Sequence, residues 1–592
     1  MPSRDSIFML ASLVLAILAG CDRSQDSGLN QPVDKPVSQQ GVHSPEETAG
    51  EEEPGDDEPR PVIRFSDETA RSGIDFEHHS GDNPQKPFPA ANGSGIAAFD
   101  YDLDGRNDLL FLNGTSFPLD EARESPRDRF YRNRGNWSFA EITAESGLGS
   151  AGYSAGVATG DFNSDGFPDV FINCFGENRF YLNQGDGTFR EAANEAGLDD
   201  PSWGTSAACL DFNNDGNLDL YVCNYAEWSW ETNQFCGDRE KNVRIFCSPR
   251  SVRPVPDRLY ENLGNGRFRD VLEQAGINRE PGRGQGVVAA DIDRDGLVDL
   301  YVGNDINSNF LFRNAGGGKF EDLTDLSGTA FDFAGRPQAG MGVDVADIDR
   351  DGLMEIFVTN YEDEHNTLYR NLGNHLYQDV SQSAGLAAPS MRWIGWGTRF
   401  IDFDLDGWSD LVVTNGHTDN NLHDMGRDAS YEQPPLLFHN RAGRLIPVRS
   451  PPGSYFAGKH PGRSLCAADL DGDLATDLVI GHQDRPPALL RNISALDKKR
   501  LVLSIRFLGI ESNRDGIGTQ VEVLGTEPGL AFQVKSGGSY LASQPYDLIM
   551  SLPAGVENLL EIRWPNGYAL QLAAPEASGH YTLIEGRRLF TH

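Results

Sequence analysis

Residues 100–108 read DYDLDGRND, and the same nine-residue phrase returns six more times: DFNSDGFPD from Asp161, DFNNDGNLD from Asp211, DIDRDGLVD from Asp291, DIDRDGLME from Asp347, DFDLDGWSD from Asp402 and DLDGDLATD from Asp469. Starts 50 to 80 residues apart suit a unit of four strands with connections of varied length. Two further phrases keep step with it. One like LYRN ends at Asn133, Asn183, Asn262, Asn314, Asn371, Asn440 and Asn492. Another, like FREAANEAGL, starts at Phe139, Phe189, Phe268, Phe320 and Tyr377, with a degenerate copy at Leu445. The seventh copy of this last phrase, FSDETARSGI from Phe65, precedes every loop, and none follows Asn492. Such a circular arrangement predicts that the N-terminal strand completes the last unit and closes a ring, leaving no open sheet edge.

Small, glycine-containing segments such as GSGIAAF and GQGVVAA precede the loops and fit crowded inner strands. After the loops come LLFLN, VFINC, LYVCN, LYVGN, IFVTN, LVVTN and LVIGH, apolar and β-branched runs suited to buried strands. The expectation is an all-β chain, a seven-bladed β-propeller over residues 62–495 followed by a small β domain.

The loop chemistry points to a hard cation. Acidic or amide oxygens at positions one, three and five can curl toward one centre, glycine at six permits the turn, seven offers a carbonyl, and the acid at nine completes an all-oxygen cage. Calcium suits such a cage better than magnesium, which prefers to keep its waters. Position twelve is Phe111, Ile172, Val222, Val302, Val358, Val413 and Ile480, all apolar, which excludes an EF-hand with its bidentate Glu. Four crowded carboxylates repel by about 4 kcal/mol per close pair at an intermediate dielectric, so the cation is expected to be part of the fold. The alternative is that acidic turns only solubilise hairpins.

These loops resemble the FG-GAP and VCBS repeats of integrin α-chain propellers and their bacterial relatives. The resemblance implies calcium, up to seven ions, that stiffens hairpins on one face of the ring and does not catalyse. The implied ligands are Asp100, Asp102, Asp104 and Asp108; Asp161, Asn163, Asp165 and Asp169; Asp211, Asn213, Asp215 and Asp219; and Asp291, Asp293, Asp295 and Asp299. In the later loops they are Asp347, Asp349, Asp351 and Glu355; Asp402, Asp404, Asp406 and Asp410; and Asp469, Asp471, Asp473 and Asp477. The last loop departs from the pattern, with Leu474 where the others have glycine.

From Lys499 the chain alternates as LVLSIRFLG, TQVEVLG, LAFQVKSG and LLEIRWPNG, which reads as strands of a small β domain over residues 499–590. The phrases NRDGIGTQVEV from Asn513, GGSYLASQ from Gly537 and IRWPNG from Ile562 are similar to the ASPIC/UnbV domain that follows such propellers in the cartilage acidic protein-like family.

At the other end, MPSRDSIFMLASLVLAILAGC combines a basic residue, a short apolar run and Leu18-Ala19-Gly20-Cys21, which resembles a bacterial lipobox. Residues 1–21 are therefore expected to be a lipoprotein signal with lipidation at Cys21; ordinary cleavage and an uncleaved anchor are the alternatives. Residues 22–61 are acidic and almost without large apolar groups, as expected of a disordered tether. The protein is then exported and membrane-anchored, facing the periplasm or cell surface, with the lipid as its membrane contact. Cys236 and Cys247 lie in the longest insertion and are expected to form a disulfide in an oxidising compartment; Cys174, Cys209, Cys223 and Cys466 read as core packing.

A formal charge of −39 repels phosphate backbones and makes nucleic acid a poor partner. No HExxH or Walker motif appears, so a catalytic role is not expected. The loop NGHTDNNLHDMG, with His417 and His423, and the phrase RWIGWG, with Trp393 and Trp396, are weak candidates for a substrate site at the ring's mouth. Three functional readings stand at this point: a surface binding or adhesion module for an extracellular protein or polysaccharide, a glycan-active hydrolase or lyase with a site at that mouth, and a structural envelope protein.

Overall fold

A computed structural model describes residues 63–591 apart from 94, 120–125, 495–498 and 527–528; Cys21 and the acidic tether lie outside the described residues. The repeats form seven four-stranded antiparallel sheets. In the first, Ile96–Phe99, Asp108–Phe111, Arg129–Asn133 and Phe139–Glu141 lie side by side in chain order. The inner strands of the others are Ser154–Gly160, Gly204–Leu210, Gly284–Ala290, Val343–Ala346, Gly395–Ile401 and Gly462–Ala468. Each packs beside the inner strand of the next sheet, and the seventh packs beside the first, so the sheets are blades of a closed ring. Small residues make this approach possible. A β-carbon on Gly156 would lie 1.9 Å from the Thr205 carbonyl oxygen of the next inner strand. The second strands are buried on both faces, which is why they read as unbroken apolar runs.

The N-terminal strand Phe65–Asp67 supplies the outer edge of the seventh blade, with Phe65 opposite Asn492, Ser66 opposite Arg491 and Asp67 opposite Leu490. The Ile493 N–H donates to the Arg64 carbonyl at 2.8 Å, and the Glu68 N–H to the Leu489 carbonyl at 2.8 Å. The Phe65 ring sits edge-on to Phe403 at 5.2 Å.

A second device ties the blades together. In six blades the side-chain amide of the recurrent asparagine donates to the carbonyl of position two in the preceding blade's acidic loop, as Asn183 does to Tyr101, Asn262 to Phe162, Asn314 to Phe212, Asn440 to Ile348 and Asn492 to Phe403, whereas Asn371 donates to Met354 and Tyr377 of its own blade. Asn133 of blade one reaches Leu470 of blade seven at 2.9 Å, so the latch runs across the closure point as well.

The C-terminal domain holds two four-stranded sheets, one ordered Leu548–Pro553, Arg500–Leu508, Gly579–Ile584, Leu589–Thr591 and the other Leu530–Gln533, Gln520–Leu524, Leu559–Arg563, Ala569–Ala573. Arg500–Leu508 and Gly579–Ile584 run parallel, the other pairs antiparallel. Its core, including Leu503, Ile505, Val521, Ile562 and Trp564, is continuous with Phe162, Phe171 and Leu220 of blades two and three. Propeller and C-terminal domain therefore share one hydrophobic cluster.

One segment of this domain leaves it and fills the ring. Ser536–Gly537 pairs with the inner strand of blade four, and bridges join Ser543 to Ala97 and Ser539 to Val343. Further bonds reach the remaining inner strands: the Thr159 N–H donates to Ser543 Oγ, the Cys209 N–H to Ser536 Oγ, the Thr398 N–H to Ser539 Oγ and the Ala467 N–H to Gln544 Oε1. All seven inner strands thus touch residues 536–544. From the opposite end the one-turn helix Phe88–Ala91 closes the axis, and Tyr540 Oη donates to the Asn92 carbonyl at 3.2 Å. The axis is occupied by the chain itself from both sides.

Candidate metal centres

Each acidic loop joins the first and second strands of its blade, so all seven emerge at one end of the ring, while the connections between second and third strands emerge at the other. Backbone shape explains the sequence pattern. Positions four and six both take the left-handed conformation, as at Leu103 (φ 58°) and Gly105 (φ 84°) of the first loop. In the last loop the preference is traded: Gly472 occupies position four and Leu474 position six at φ 71°, with the same path retained. Two amides of the turn donate to the first aspartate, as Asp104 and Gly105 do to Asp100.

Position nine plays a different part from the one expected of a simple ligand. In all seven loops its carboxylate accepts two backbone N–H bonds, one from position two and one from the recurrent asparagine; for Asp299 these come from Ile292 at 3.0 Å and Asn314 at 2.7 Å. The acid is a bracket between loop and third strand, with a lone pair left for a cation. Burial pushes these carboxyls up, Asp108 and Glu355 to about 8, and Asp161 and Asp291 at position one to about 7. A cation at the loop centre would favour their charged forms.

The residues present fit such an ion. In the first, fourth, fifth and sixth loops, one oxygen from each of three acids falls within 4.8 Å of the others: Asp100, Asp102 and Asp108; Asp291, Asp293 and Asp295; Asp347, Asp349 and Asp351; Asp402, Asp404 and Asp410. That span matches opposed oxygens around a calcium ion, with bonds of about 2.3–2.6 Å. The Oδ1 atoms of Asp102, Asp347, Asp349, Asp404 and Asp471 are buried with no hydrogen-bond partner. Orphaned acceptors of this kind are costly unless something positive meets them. In loops two and three Asn163 and Asn213 instead donate to Asp165 and Asp215.

The C-terminal domain covers this end of the ring. Arg506 lies 3.5 Å from Asp100, Arg294 3.2 Å from Glu522, and His580 3.7 Å from Asp469. Asp515 Oδ2 accepts from the Asp161 N–H at 2.8 Å, and Gln533 both accepts from and donates to the backbone of Asp291.

At the mouth suggested for a catalytic alternative, His417 and Trp396 are buried. His417 is fully buried, 3.4 Å from Glu362, and Trp396 packs on Tyr540 with its indole N–H donating to the Gly416 carbonyl. Arg463, 1% exposed, lies over the Trp396 ring and donates to the carbonyls of His417 and Ala91. These residues cap the filled axis.

The far end carries the longest insertion, between second and third strands of blade three. Ala226–Glu227 pairs with Arg253–Pro254, and the hairpin Cys236–Asp238 with Val243–Ile245 is closed by the Cys236–Cys247 disulfide. Cys174, Cys209, Cys223 and Cys466 are buried free thiols. A recess of about 710 Å³ opens there, lined by Phe88, Phe175, Trp203 and Trp228 with Asn233 and Arg253 at its polar side. Trp228 is half-buried, its ring 5.5 Å from Phe117 and 5.6 Å from Phe175.

The sequence showed the acidic loops but not the latch, the filled axis or this recess. The latch had a signal in the unbroken recurrence of asparagine after the third strand, and the filled axis had one in the phrase GGSYLASQ. The recess had none, because its rings come from two blades and the N-terminal segment.

Family models agree with this architecture. The FG-GAP-like repeat matches residues 100–172, 161–222, 245–302, 291–358 and 347–413, and the ASPIC and UnbV model matches residues 509–589. Cartilage acidic protein 1 of Homo sapiens is 29% identical over 352 residues, 56% of this chain and 50% of that protein. The Xenopus tropicalis protein of the same name is 24% identical over 324 residues, 52% of this chain and 46% of its own. The chain thus spans about half the length of the curated relatives it matches. A solved Agrocybe aegerita lectin that recognises non-reducing terminal N-acetylglucosamine aligns at 15% identity and a TM-score of 0.35, over 66% of this chain and 86% of the lectin, too distant a likeness to argue from. The chain is a β-propeller of FG-GAP-like repeats followed by an ASPIC and UnbV domain, and it is similar to cartilage acidic protein 1 over about half of its length.

Proposed function

We propose that the protein is an exported, calcium-loaded, non-catalytic binding module, anchored through Cys21, whose insertion-bearing end holds an extracellular protein or polysaccharide. The observation that carries this reading is the division of the ring's surfaces. One end is covered by the C-terminal domain, the axis is filled, and the other end bears the aromatic recess beside a disulfide-closed hairpin. Two half-buried rings, Phe175 and Trp228, with polar groups at their margin suit a ligand with both apolar faces and hydroxyl or amide groups. Binding to immobilised polysaccharides and matrix proteins, compared for the intact protein and Trp228→Ala, tests it. The substitution should weaken binding about tenfold, ~1.4 kcal/mol, without moving the thermal midpoint. Equal binding by the two proteins would remove the recess from the reading.

In the metal centres, Asp100, Asp102, Asp104 and Asp108 and their counterparts in the other loops would hold calcium, which supplies positive charge to an otherwise self-repelling cage. Chelation should therefore lower the thermal midpoint, and millimolar calcium should restore it. Each loop contributes about 2.7 kcal/mol at a free concentration one hundred times its Kd. An identical transition with and without chelator would reject the structural ion.

A further inference from the structure

We propose that, in the five loops with Asp at position three, the residue immediately before the recurrent asparagine is a built-in counter-cation that offsets the fourth acid. The sequence divides them into two classes. Position three is Asp in loops one, four, five, six and seven, and in those blades the residue before the asparagine is Arg132, Arg313, Arg370, His439 and Arg491. Position three is Asn in loops two and three, and there the same place holds Leu182 and Glu261. A basic side chain is present wherever the fourth acid is present and absent wherever it is not.

The contacts show what the basic group does. Arg313 Nε lies 2.7 Å from Asp293 Oδ2 and its Nη2 2.5 Å from Asp295 Oδ2. Arg491 spans Asp471 and Asp473 at 2.9 and 3.1 Å, and Arg132 spans Asp102 and Asp104 at 2.5 and 3.2 Å. Arg370 and His439 stand over the same two positions of their loops. In each arginine pair the guanidinium takes Oδ2 of position three. The Oδ1 atoms of Asp102, Asp349 and Asp471 stay buried and unpartnered on the loop side. One carboxylate thus faces two cations, the resident one outside and a divalent one within. Where Asn replaces Asp, no resident is required: the Asn163 amide donates to Asp165 by itself, and Glu261 is paired with Arg269.

Counting the acids at positions one, three, five and nine with this residue, a four-acid loop and its arginine carry the same net charge as the three-acid loop of blade two. Equal charge gives loops of different composition a comparable pull on a divalent ion. It also limits the repulsion each loop carries before the ion binds.

This inference rests on the loops holding a divalent cation, and the test separates the two ideas. Thermal midpoints of the full chain in chelator and in calcium, with calcium titrations, are compared for Arg313→Leu, Arg313→Leu/Asp293→Asn, Asn163→Asp and Asn163→Asp/Leu182→Arg. Each single substitution leaves four acids without a resident. It should lower the midpoint in chelator by about 2–4 °C and tighten calcium at that loop about tenfold. Each double substitution should recover most of both changes. Second substitutions that add to the loss in chelator would overturn the proposal. An intact protein indifferent to calcium would defeat the cation reading, while the chelator series alone still decides whether the resident offsets the fourth acid.

Discussion

Removal of residues 63–74 should turn a soluble propeller into an aggregating one, whereas removal of residues 22–61 should leave its stability unchanged. The deleted segment contributes the three-residue ladder to Leu490–Asn492, the buried Ile63 and the Phe65 ring set between Phe403 and Phe456. It also holds Thr69, whose hydroxyl accepts the Leu489 N–H at 2.9 Å. Burial of two large apolar side chains stabilises by about 1.5–3 kcal/mol each, and the lost ladder leaves the third strand of blade seven as an open edge. The total is of the order of a domain's whole stability, about 5–15 kcal/mol. Size-exclusion chromatography and a thermal scan of the two deletions provide the measurement. A monodisperse 63–74 deletion with an unmoved midpoint would mean that the ring does not depend on its N-terminal strand.

That strand was legible because a repeat counts itself. Seven loops, seven third-strand phrases and a displaced seventh outer-strand phrase leave one arrangement without an unpaired edge, and the register Phe65 opposite Asn492 is the one this arrangement requires. The acidic loops were legible for a similar reason: alternate oxygens around a turn make a local pattern, and the turn's left-handed positions select glycine. Long-range partners were not. The glycines of the inner strands read correctly as a sign of crowding, but the sequence could not name what crowds them. Gly95 is the clearest case: a β-carbon there would lie 2.1 Å from the carbonyl oxygen of Leu541, more than 400 residues away. Likewise the phrase GGSYLASQ marked the C-terminal domain without naming its partners, because nothing local tells which distant strand a serine bonds. Position nine was read only in part, for the opposite reason. Its oxygen chemistry suited a ligand so well that its two backbone bonds, which depend on the neighbouring strand, left no trace in the pattern.

The segment through the axis carries the other large effect, and Tyr540→Ala/Leu541→Ala should destabilise the whole protein, not only its C-terminal domain. Both side chains are fully buried, and Tyr540 bridges the two closures of the axis by bonding Asn92 from below while packing on Trp396. Truncating a buried Leu costs about 2–5 kcal/mol and a large aromatic about 3–5; adjacent positions couple, so about 6 kcal/mol is expected for the pair. Because the propeller and the C-terminal domain share one hydrophobic cluster, the loss should appear as a single transition at lower temperature and not as two. The axis also carries its own reporters. Cys209 and Cys466 are buried free thiols against this segment, the Cys209 N–H donating to Ser536 Oγ and Cys466 Sγ lying 3.2 Å from the Ser543 carbonyl oxygen. In the intact protein neither should react with a thiol reagent under native conditions, and both should react in the double variant as the segment loosens. Ile510→Ala and Val556→Ala, at exposed positions of the same domain, should change neither the midpoint nor the labelling. If the two thiols stay protected and the midpoint stays put in Tyr540→Ala/Leu541→Ala, the segment is a passenger in a ring that holds itself together.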